Sequence, residues 1–580
     1  MSRPAIVTEL EPLFNPRSIA VIGATNDWNK WGFSTFNSTL NSFEGKVYPV
    51  NNRVTDILGH PAFKRVTDIP EPVDLAVFVV PATEVPSVME DCVAKGVKSG
   101  VIISAGFAET GEEGRKLQDE VVRIARKGGI RFVGPNCMGF WSASSNLRAF
   151  MIPLAMQEGP LAFVTQGGNV GVAVTMSAHS RGVGFYRYVS CGCTADIPIE
   201  DYIEYFAEDP QVRVILTYIE GLEDGKRFTE KVRQVTRKKP VIALKPGRTE
   251  AAAKAIASHS GELAGLSEIY DKAFAKAGVV RVETPEELLD VAIGFLTQPL
   301  PRGRNVAIIT PGGSYGVLCA DACASDGLNV VRLPEDTIAA LDKIFPPRWS
   351  RGNPVDPAGD RNFIAYLTAP GKLLKLDEID SLIFMGFANF GNFDPLSWAP
   401  PPEVLQRLPR LPDPFAKLIE HASQISPVFR SGDESLIYQI VQPIASMFGT
   451  VIGIRDREQT DEFASLVSSA IASGKIDTSF LDNPAQLATS YGLSSEVDSS
   501  LIRSRMQMFN RGISAIVRAL SLQWSERYGK PILHTTFTED LPRMEDSFYP
   551  YPSGSRAARV LAKLVEYKEY LEREGLYRRE

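Results

Sequence analysis

The chain has 580 residues, of which 44% are hydrophobic and 23% are charged, and its formal net charge is −7. This length exceeds what one hydrophobic core supports, so we expect three or four domains. The negative charge and the ordinary composition argue against proteins that bind nucleic acid or anionic lipid.

The chain shows no sign of export or of a membrane segment. Its longest apolar runs, such as VDLAVFVVPA from Val73, are about half as long as the ~20 residues that a membrane helix needs. The amino terminus lacks an apolar signal segment, and six cysteines in so long a chain do not indicate a disulfide framework. We therefore expect a reduced, cytoplasmic protein that does not enter a membrane.

Three segments share one pattern, a short β-rich apolar run that ends in glycine and leads into helix-compatible sequence. They are RSIAVIGAT from Arg17, GPLAFVTQGG from Gly159 and RNVAIITPGG from Arg304. Their spacing is the size of a doubly wound domain, and continuous apolar strands alternate with helical stretches between them. The sequence predicts an α/β protein of three successive Rossmann- or flavodoxin-like domains with parallel sheets.

The predicted domains span 1–145, 150–298 and 303–580. In the third, the alternation of strands and helices fades after Asn392 and returns at GKPILHTTF from Gly529. We interpret this as a mostly helical insertion at about 391–525. The proline-rich WAPPPEVLQRLPRLPDP could instead be a linker to a fourth domain.

In the first unit, small and polar residues follow the strands, where ligands bind in such sheets. Gly23 ends the first strand and Gly32 follows a polar loop, so backbone amides can approach a phosphate there. The G-x-G-x-x-G fingerprint is absent, and Asn51 stands where a nicotinamide enzyme usually has an acid. Arg53 indicates a phosphate-bearing ligand. The alternative is a strand–helix turn without a ligand.

In the second unit, TQGGNVG from Thr165 predicts a helix amino terminus with free amides, which favours an anion. Glu220 ends another strand. His259 lies on AIASHSGELAG, among serines and glycines, where backbone can approach a ligand closely. A neutral imidazole is a good nucleophile toward phosphorus, and a carboxylate on its other nitrogen would fix the tautomer. The alternatives are an ordinary loop histidine and a solvated acid.

The chain resembles the NDP-forming acyl-CoA synthetases, the superfamily of succinyl-CoA synthetase and ADP-forming acetate–CoA ligase, along almost its whole length. The resemblance rests on the order and spacing of several motifs rather than on one of them. These motifs are SIAVIGAT, VYPVN, GFAETG, GPNCMG, YIEG, KPGR, SHSGELAG, TPGGSYGVLCADACASDGL and NPVDPAGD.

The resemblance implies a ligase in which a carboxylic acid, CoA and ATP give acyl-CoA, ADP and phosphate through acyl phosphate and a phosphohistidine. His259 is then the phosphorylated residue and Glu220 the acid that orients it. The phosphate-binding residues are Gly167, Gly168 and Asn169. The CoA-binding residues are Gly23, Thr25, Asn29, Lys30, Trp31, Gly32, Arg53, Ser104, Ala105 and Gly106.

This family also needs an ATP-grasp module, and no segment of the chain resembles one. We therefore expect an α-type chain in a hetero-oligomer, with an ATP-grasp β-type subunit that binds ATP or ADP and Mg²⁺. No metal site is expected in the chain itself. Three residues depart from the family's usual pattern: Gly167 replaces serine, Cys193 replaces asparagine and Glu262 replaces alanine.

Two alternatives belong to other functional classes. GGSYG fits the nucleophile elbow G-x-S-x-G, with Ser314 after a strand and Asp356 and His534 following in the order of a hydrolase triad. A CoA-sensing protein without turnover is the other alternative, because Glu262 and the missing nucleotide module both permit it.

Overall fold

The structure is a computed structural model, and it describes a chain that forms two compact units. The described residues are 4–249, 251–252, 267–359, 363–386, 422–451, 457–482, 499–536, 543–544 and 547–577. The first unit comprises residues 1–296 together with 569–580, and the second comprises 297–568. The first unit contains two large β-sheets and the second contains one.

The first sheet has five parallel strands in the order β2-β1-β5-β6-β7. Its central strands are continuous apolar runs that are buried throughout, because helices cover both faces of the sheet. The strands are β1 (Ser18–Ile22), β2 (Lys46–Val50), β5 (Leu75–Phe78), β6 (Ser99–Ile102) and β7 (Arg131–Val133), with a small hairpin of β3 (Asp56–Ile57) and β4 (His60–Pro61). The helices are α1 (Ala5–Phe14), α2 (Trp31–Ser42), α3 (Val85–Lys95) and α4 (Glu112–Lys127).

The second sheet has seven strands in the order β14-β13-β12-β10-β11-β8-β9, of which β8 and β9 are antiparallel additions at one edge. The strands are β8 (Gly139–Ser142), β9 (Leu147–Phe150), β10 (Leu161–Thr165), β11 (Phe185–Ser190), β12 (Val214–Tyr218), β13 (Val241–Leu244) and β14 (Val280–Val282). The helices are α5 (Gly168–Ser180), α6 (Ile199–Glu208), α7 (Gly225–Thr236), α8 (Ser267–Ala277) and α9 (Pro285–Thr297).

A buried ion pair lies in the helical layer of this second sheet. The Arg181 guanidinium, fully buried at the carboxyl end of α5, donates to Asp290 of α9 over 2.7 Å. Two further nitrogens of Arg181 have no hydrogen-bond partner among the described residues. Such a pair adds little net stability when intact, but removing one partner leaves an uncompensated buried charge.

The third sheet, in the second unit, has five parallel strands in the order β16-β15-β17-β18-β19. The strands are β15 (Asn305–Ile309), β16 (Asn329–Val330), β17 (Ser381–Met385), β18 (Ile532–Thr535) and β19 (Pro550–Tyr551). The helices are α10 (Gly313–Ser325), α11 (Glu335–Asp342), α12 (Phe363–Leu374) and α17 (Gly554–Arg573). Residues of α17 from Glu569 onward belong to the first unit.

Between β17 and β18, the described residues are mainly helical. The two strands are parallel neighbours, with Leu382 opposite Ile532, although a long stretch of chain separates them. The helices in that stretch are α13 (Ala422–Ser431), α14 (Glu434–Val451), α15 (Arg457–Ala472) and α16 (Ser499–Tyr528). Apolar residues of these helices join the core under the third sheet, so the segment packs as part of the second unit.

When only the parallel strands are counted, so that β8 and β9 are left out of the second sheet, all three sheets have the flavodoxin-like order 2-1-3-4-5. The order in which strands are added to the sheet therefore reverses between the first and third parallel strands, and ligands bind at such a switch point beside the carboxyl ends of these strands. This architecture confirms the predicted α/β class with successive parallel sheets. The predicted domain limits and the limits of the insertion stay predictions.

Within the ranges given above, no helix combines the length and the apolar character needed to traverse a bilayer. All six cysteines are free thiols.

Candidate functional site

The turn after β1 is built for close approach of helix and strand. Gly23 has a φ of +91°, and a Cβ there would lie 2.3 Å from the Val79 carbonyl oxygen. A Cβ at Gly32 would lie 2.0 Å from the Gly23 carbonyl oxygen. Only glycine fits both positions, so the amino terminus of α2 sits directly on the strand end, as in dinucleotide-binding turns.

An aspartate that the motif did not single out organises the loop between these glycines. Asp27 accepts the Asn29 amide over 3.1 Å and pairs with Lys30 over 3.7 Å, and its own amide donates to the Thr25 hydroxyl over 3.2 Å. Trp31, the first residue of α2, is 53% exposed and lines the cleft described below.

Asn51 has a structural role, because its side-chain amide donates to the Ala24 carbonyl over 2.8 Å and so joins the end of β2 to the first turn. Its side-chain oxygen accepts the Arg53 amide over 2.8 Å. The Arg53 side chain is exposed and does not line the cleft.

In the turn after β6, a carboxylate occupies the backbone amide of Gly106, one of the predicted CoA-binding residues. Glu109 Oε1 accepts the Gly106 amide over 2.6 Å and the Phe107 amide over 3.1 Å. The Gly106 amide is therefore already bonded within the protein and is not offered to a phosphate. Ser104 donates to the Val80 carbonyl over 2.5 Å, and Ser104 and Ala105 both line the cleft.

The turn after β10 presents the amino terminus of α5. Gly167 precedes the helix, and no described side chain caps it, so the first amides of α5 face outward. The Thr165 hydroxyl donates to the Gly167 carbonyl over 2.9 Å and holds the turn closed. A Cβ at Gly167 would lie 2.7 Å from a ring carbon of Tyr218, so the glycine makes room for that ring.

Glu220 comes shortly after β12, the strand that lies beside β10 in the sheet, and it is 6% exposed. Gln166 holds it in place, since its side-chain oxygen accepts the backbone amides of Glu220 over 2.5 Å and Gly221 over 3.1 Å. Burial, together with the charge of Glu220 and a hydrogen bond to it, raises the pKa of the Tyr218 hydroxyl. The Lys245 ammonium donates to the Glu220 carbonyl over 2.8 Å.

One cleft of about 1400 Å³ in the first unit brings the carboxyl ends of the first and second sheets together. Seven of the predicted site residues line it: Trp31, Ser104, Ala105, Gly167, Gly168, Asn169 and Glu220. Seven others lie away from its lining: Gly23, Thr25, Asn29, Lys30, Gly32, Arg53 and Gly106. His259 and Glu262 lie outside the described residues.

Sequence reasoning did not assign roles to Glu109, Gln166 and Tyr218. All three stand inside motifs quoted above, GFAETG, TQGG and YIEG, and Gln166 and Tyr218 line the cleft. No group of His, Cys, Asp and Glu side chains suited to holding a metal ion occurs in the part of the chain that the structure describes.

Comparison with known proteins assigns a family to this geometry. A CoA binding domain matches residues 17–142, a succinyl-CoA ligase like flavodoxin domain matches 158–295, and a ligase-CoA domain matches 306–393. The α subunit of ADP-forming acetate–CoA ligase II from Pyrococcus furiosus is 44% identical over 374 residues, which cover 64% of this chain and 81% of the relative. The chain belongs to the NDP-forming acyl-CoA synthetase family.

Two further similarities support this membership. The ADP-forming acetate–CoA ligase of Methanocaldococcus jannaschii is 41% identical over 352 residues, which cover 61% of this chain and 49% of that protein. The dinucleotide forming acetyl-coenzyme A synthetase 1 of Ca. Korarchaeum cryptofilum, solved with phosphate and ADP, is 25% identical, with a TM-score of 0.65 over 98% of this chain and 99% of that one. The family resemblance inferred from the ordered motifs is thereby confirmed.

In this synthetase-family chain, the second unit repeats the turn of α5. The Thr310 hydroxyl donates to the Gly312 carbonyl over 2.9 Å, as Thr165 does to Gly167. A Cβ at Gly316 would lie 2.7 Å from the Thr310 methyl group, and Gly171 packs on the Thr165 methyl in the same way. The GGSYG segment therefore lies in a glycine turn before α10 that has the same construction as the turn before α5.

The hydrolase triad is not assembled. Ser314 is exposed near the start of α10 and Asp356 lies close to that helix end, but His534 Nε2 is hydrogen-bonded to Ser521 over 2.8 Å. Burial lowers the pKa of the His534 imidazole to about 3, and its ring packs against Phe384 and Phe548. His534 is a core residue of β18.

Cys193, one of the departures from the family pattern, also lines the cleft. Its thiol lies 3.7 Å from Glu109 Oε2, so the loop after β11 contacts the turn after β6.

Proposed function

We propose that this chain is the α-type subunit of an acyl-CoA synthetase that reversibly converts a carboxylic acid, CoA and ATP into acyl-CoA, ADP and phosphate. The observation that supports this best is the cleft of about 1400 Å³, which joins the strand ends of the CoA-binding-type sheet to the amino terminus of α5 and to Glu220. The first step brings a thioester and a phosphate together, and this cleft is lined by predicted binding residues for CoA and for phosphate.

We describe the reversible reaction in the direction that starts from acyl-CoA. In that direction the first step replaces CoA by phosphate on the acyl group. A phosphate oxygen attacks the thioester carbonyl carbon, the carbon–sulfur bond breaks, and CoA leaves as the thiolate while acyl phosphate forms. Gly167, Gly168 and Asn169 would hold the phosphate, because the first amides of α5 and the positive end of its dipole face the cleft. Fixed donors of this kind stabilise the charge that develops on phosphate and carbonyl oxygens.

The second step moves the phosphoryl group to His259. One imidazole nitrogen attacks phosphorus, the bond between phosphorus and the acyl oxygen breaks, and the carboxylate leaves. Glu220 would accept a hydrogen bond from the N–H on the other side of the imidazole ring and stabilise the imidazolium. The two hydrogen bonds to the Gln166 side chain fix the backbone that carries Glu220, and this supports an orienting role for its carboxylate.

In the third step a nucleoside diphosphate takes the phosphoryl group from phosphohistidine and becomes the triphosphate. We assign this step, the nucleotide and Mg²⁺ to an ATP-grasp β-type partner. Two observations support a partner: no segment of the 580 residues resembles ATP-grasp, and the P. furiosus relative, of which the chain covers 81%, is named as an α subunit.

CoA would enter along the first sheet, past Trp31, Ser104 and Ala105, and reach α5 with its thiol. The glycine turn at Gly23 and Gly32 fits a phosphate-bearing ligand, because a Cβ at either position would push α2 away from the strand end. The acyl group is not common to the relatives, which are named for acetate, 4-hydroxybutyrate and trans-feruloyl groups.

Phosphorylation of the chain tests this proposal. The wild-type chain, incubated with labelled acetyl phosphate or with labelled ATP and the co-purified partner, should gain an acid-labile, base-stable phosphate. His259→Asn should abolish the label. The matched control is His179→Asn, since His179 is an exposed histidine at the far end of α5 and should leave the label unchanged.

Two outcomes would contradict the proposal. Label that persists in His259→Asn would mean that another residue carries phosphate. CoA binding without label under any of these conditions would favour a CoA-sensing protein without turnover.

A further inference from the structure

Three apolar side chains beside the proposed phosphate site line the cleft and have no role in the steps above. They are Met138, Met151 and Val170, and we call them the apolar wall. All three are half-buried, so part of each side chain faces the open cleft. Val170 lies in the first turn of α5, next to the residues that would hold phosphate.

Met138 and Met151 are held opposite each other by backbone hydrogen bonds. The Met151 amide donates to the Met138 carbonyl over 3.2 Å, which extends the pairing of β8 with β9 by one position. The Met138 amide donates to the hydroxyl of Ser190, the last residue of β11, over 3.1 Å. The second sheet therefore fixes both backbones, whereas the flexible thioether side chains can still adapt to a ligand.

Met138 contacts the residue with which the phosphate-binding helix begins. A Cβ at Gly168 would lie 2.5 Å from the Met138 sulfur, so the thioether packs directly on the start of α5. The turn that carries Met138 also reaches the CoA side of the cleft, because the Asn136 amide donates to the Ser104 carbonyl over 3.0 Å. The turn 134–138 therefore lies between the residues predicted to bind CoA and those predicted to bind phosphate.

The reacting carbonyl carbon must come within bonding distance of both the CoA sulfur and a phosphate oxygen. A sulfur that arrives past Ser104 and a phosphate at the Gly168 amide place this carbon against the turn 134–138, with the acyl tail beside Met138. Resting on the proposed function, we infer that the apolar wall binds the acyl tail and selects unsubstituted aliphatic monocarboxylic acids of about four to five carbon atoms.

The size of the tail follows from the spacing of the two methionines. Residues that face each other on paired strands have Cβ atoms about 5 Å apart, so a tail that covers both side chains and Val170 needs several carbon atoms. Each methylene group buried against this wall adds favourable transfer free energy. An acetyl methyl beside Met138 would leave most of the wall uncovered.

The chemistry of the wall disfavours a charged tail. Two thioethers and a valine offer no hydrogen-bond donor, so a second carboxylate placed among them would lose its water without gaining a partner. Methionine adapts its shape to irregular neighbours, so we expect straight and branched tails to be accepted alike.

The test compares four acids with the complex of the chain and its co-purified partner: acetate, butanoate, 3-methylbutanoate and succinate. We expect kcat/KM for butanoate and for 3-methylbutanoate to exceed the values for acetate and for succinate at least tenfold. The reason is that a single methylene group in an apolar pocket changes kcat/KM by about tenfold or more.

Variants of the two methionines test whether the wall causes this preference. Met138→Ala and Met151→Ala should each lower the ratio of kcat/KM for butanoate to that for acetate at least about fivefold, mainly through KM, because the tail loses apolar contact. Met151→Lys adds an ammonium group to the wall and should raise kcat/KM for succinate relative to butanoate. A general disturbance of the site would lower the values for all acids together and leave these ratios unchanged.

The matched control is Met176→Ala, since Met176 is an exposed methionine of α5 that does not line the cleft. It should keep the wild-type ratios.

The inference is overturned if the wild-type complex prefers acetate or succinate. Ratios in Met138→Ala and Met151→Ala that equal those of the wild type would overturn it as well. In either case phosphohistidine still forms, so the proposed function stands. If neither phosphohistidine nor acyl-CoA forms with any of the four acids, the proposed function fails and this inference fails with it.

Discussion

Replacing Gly32 by alanine should weaken CoA binding without touching any side chain that contacts the ligand. The added Cβ would stand 2.0 Å from the Gly23 carbonyl oxygen, and real Cβ contacts essentially never fall below 3.0 Å. The amino terminus of α2 must therefore move by at least 3.0 − 2.0 = 1.0 Å. The obstacle is backbone, which cannot rotate away as a flexible side chain would.

Overpacking of this kind costs roughly 1–3 kcal/mol. If the cost falls on the CoA-bound state, the dissociation constant for CoA rises about 5- to 150-fold, since 1.4 kcal/mol is tenfold. The part of this free-energy cost that is already present in the free protein lowers its melting temperature instead. Calorimetric titration of the full chain with CoA, together with thermal unfolding, measures both parts.

Gly225→Ala is the matched control, because Gly225 begins α7 and a Cβ there would meet no atom within 4 Å. It should leave CoA affinity unchanged and stability equal or slightly higher. A Gly32→Ala chain that binds CoA and melts as the wild type does would refute the steric argument and, with it, the role of this turn.

Three further predictions concern single side chains. Asp290→Asn should destabilise the first unit by about 3–5 kcal/mol in denaturant unfolding, because it strands the buried Arg181 charge; an effect below about 1 kcal/mol would contradict this. Glu220→Gln should slow phosphohistidine formation about a hundredfold or more in single-turnover assays while the CoA dissociation constant stays unchanged; equal rates would mean that Glu220 does not orient the histidine. The low pKa of His534, about 3 against 6.5 when unfolded, should cost the second unit stability as the pH falls from 6.5 toward 3. The unfolded state binds the proton first, so the loss is about 1.4 kcal/mol per pH unit in that window, and His534→Gln should flatten it.

Much of the fold, and several of the residues that line the cleft, could be predicted from the sequence, because ligands bind at the carboxyl ends of parallel strands. Parallel strands bring their carboxyl ends to one edge, so Ser104, Gly167 and Glu220, each following an apolar run, were expected at ligand-binding edges. The family motifs pointed to the same edges. His259 lies outside the described residues, and its role stays a proposal.

Side-chain contacts across turns could not be predicted, because turns lack the periodic residue pattern that marks helices and strands. Nothing in GFAETG shows that the Glu109 carboxylate folds back onto the amide of Gly106, which was predicted to bind CoA. Nothing in TQGG shows that Gly167 is needed beside the Tyr218 ring two strand positions before Glu220. The hydrolase alternative failed for the same reason, since chain order does not reveal that His534 is bonded to Ser521.

The pairing of β17 with β18 limits how modular the helical segment between them can be. Because the strands are parallel neighbours, the connecting chain leaves at one edge of the sheet and returns at the opposite edge, about 15 Å away. An insertion into a loop needs its two ends close together, whereas the ends of the segment between β17 and β18 lie about one strand length apart. The thirty-residue helix α16, about 45 Å long, leads directly into β18 and can span that distance alone. The helix α16 can therefore return the chain across the sheet by itself, whereas α13 to α15 contribute to the core of the unit without being needed for that return.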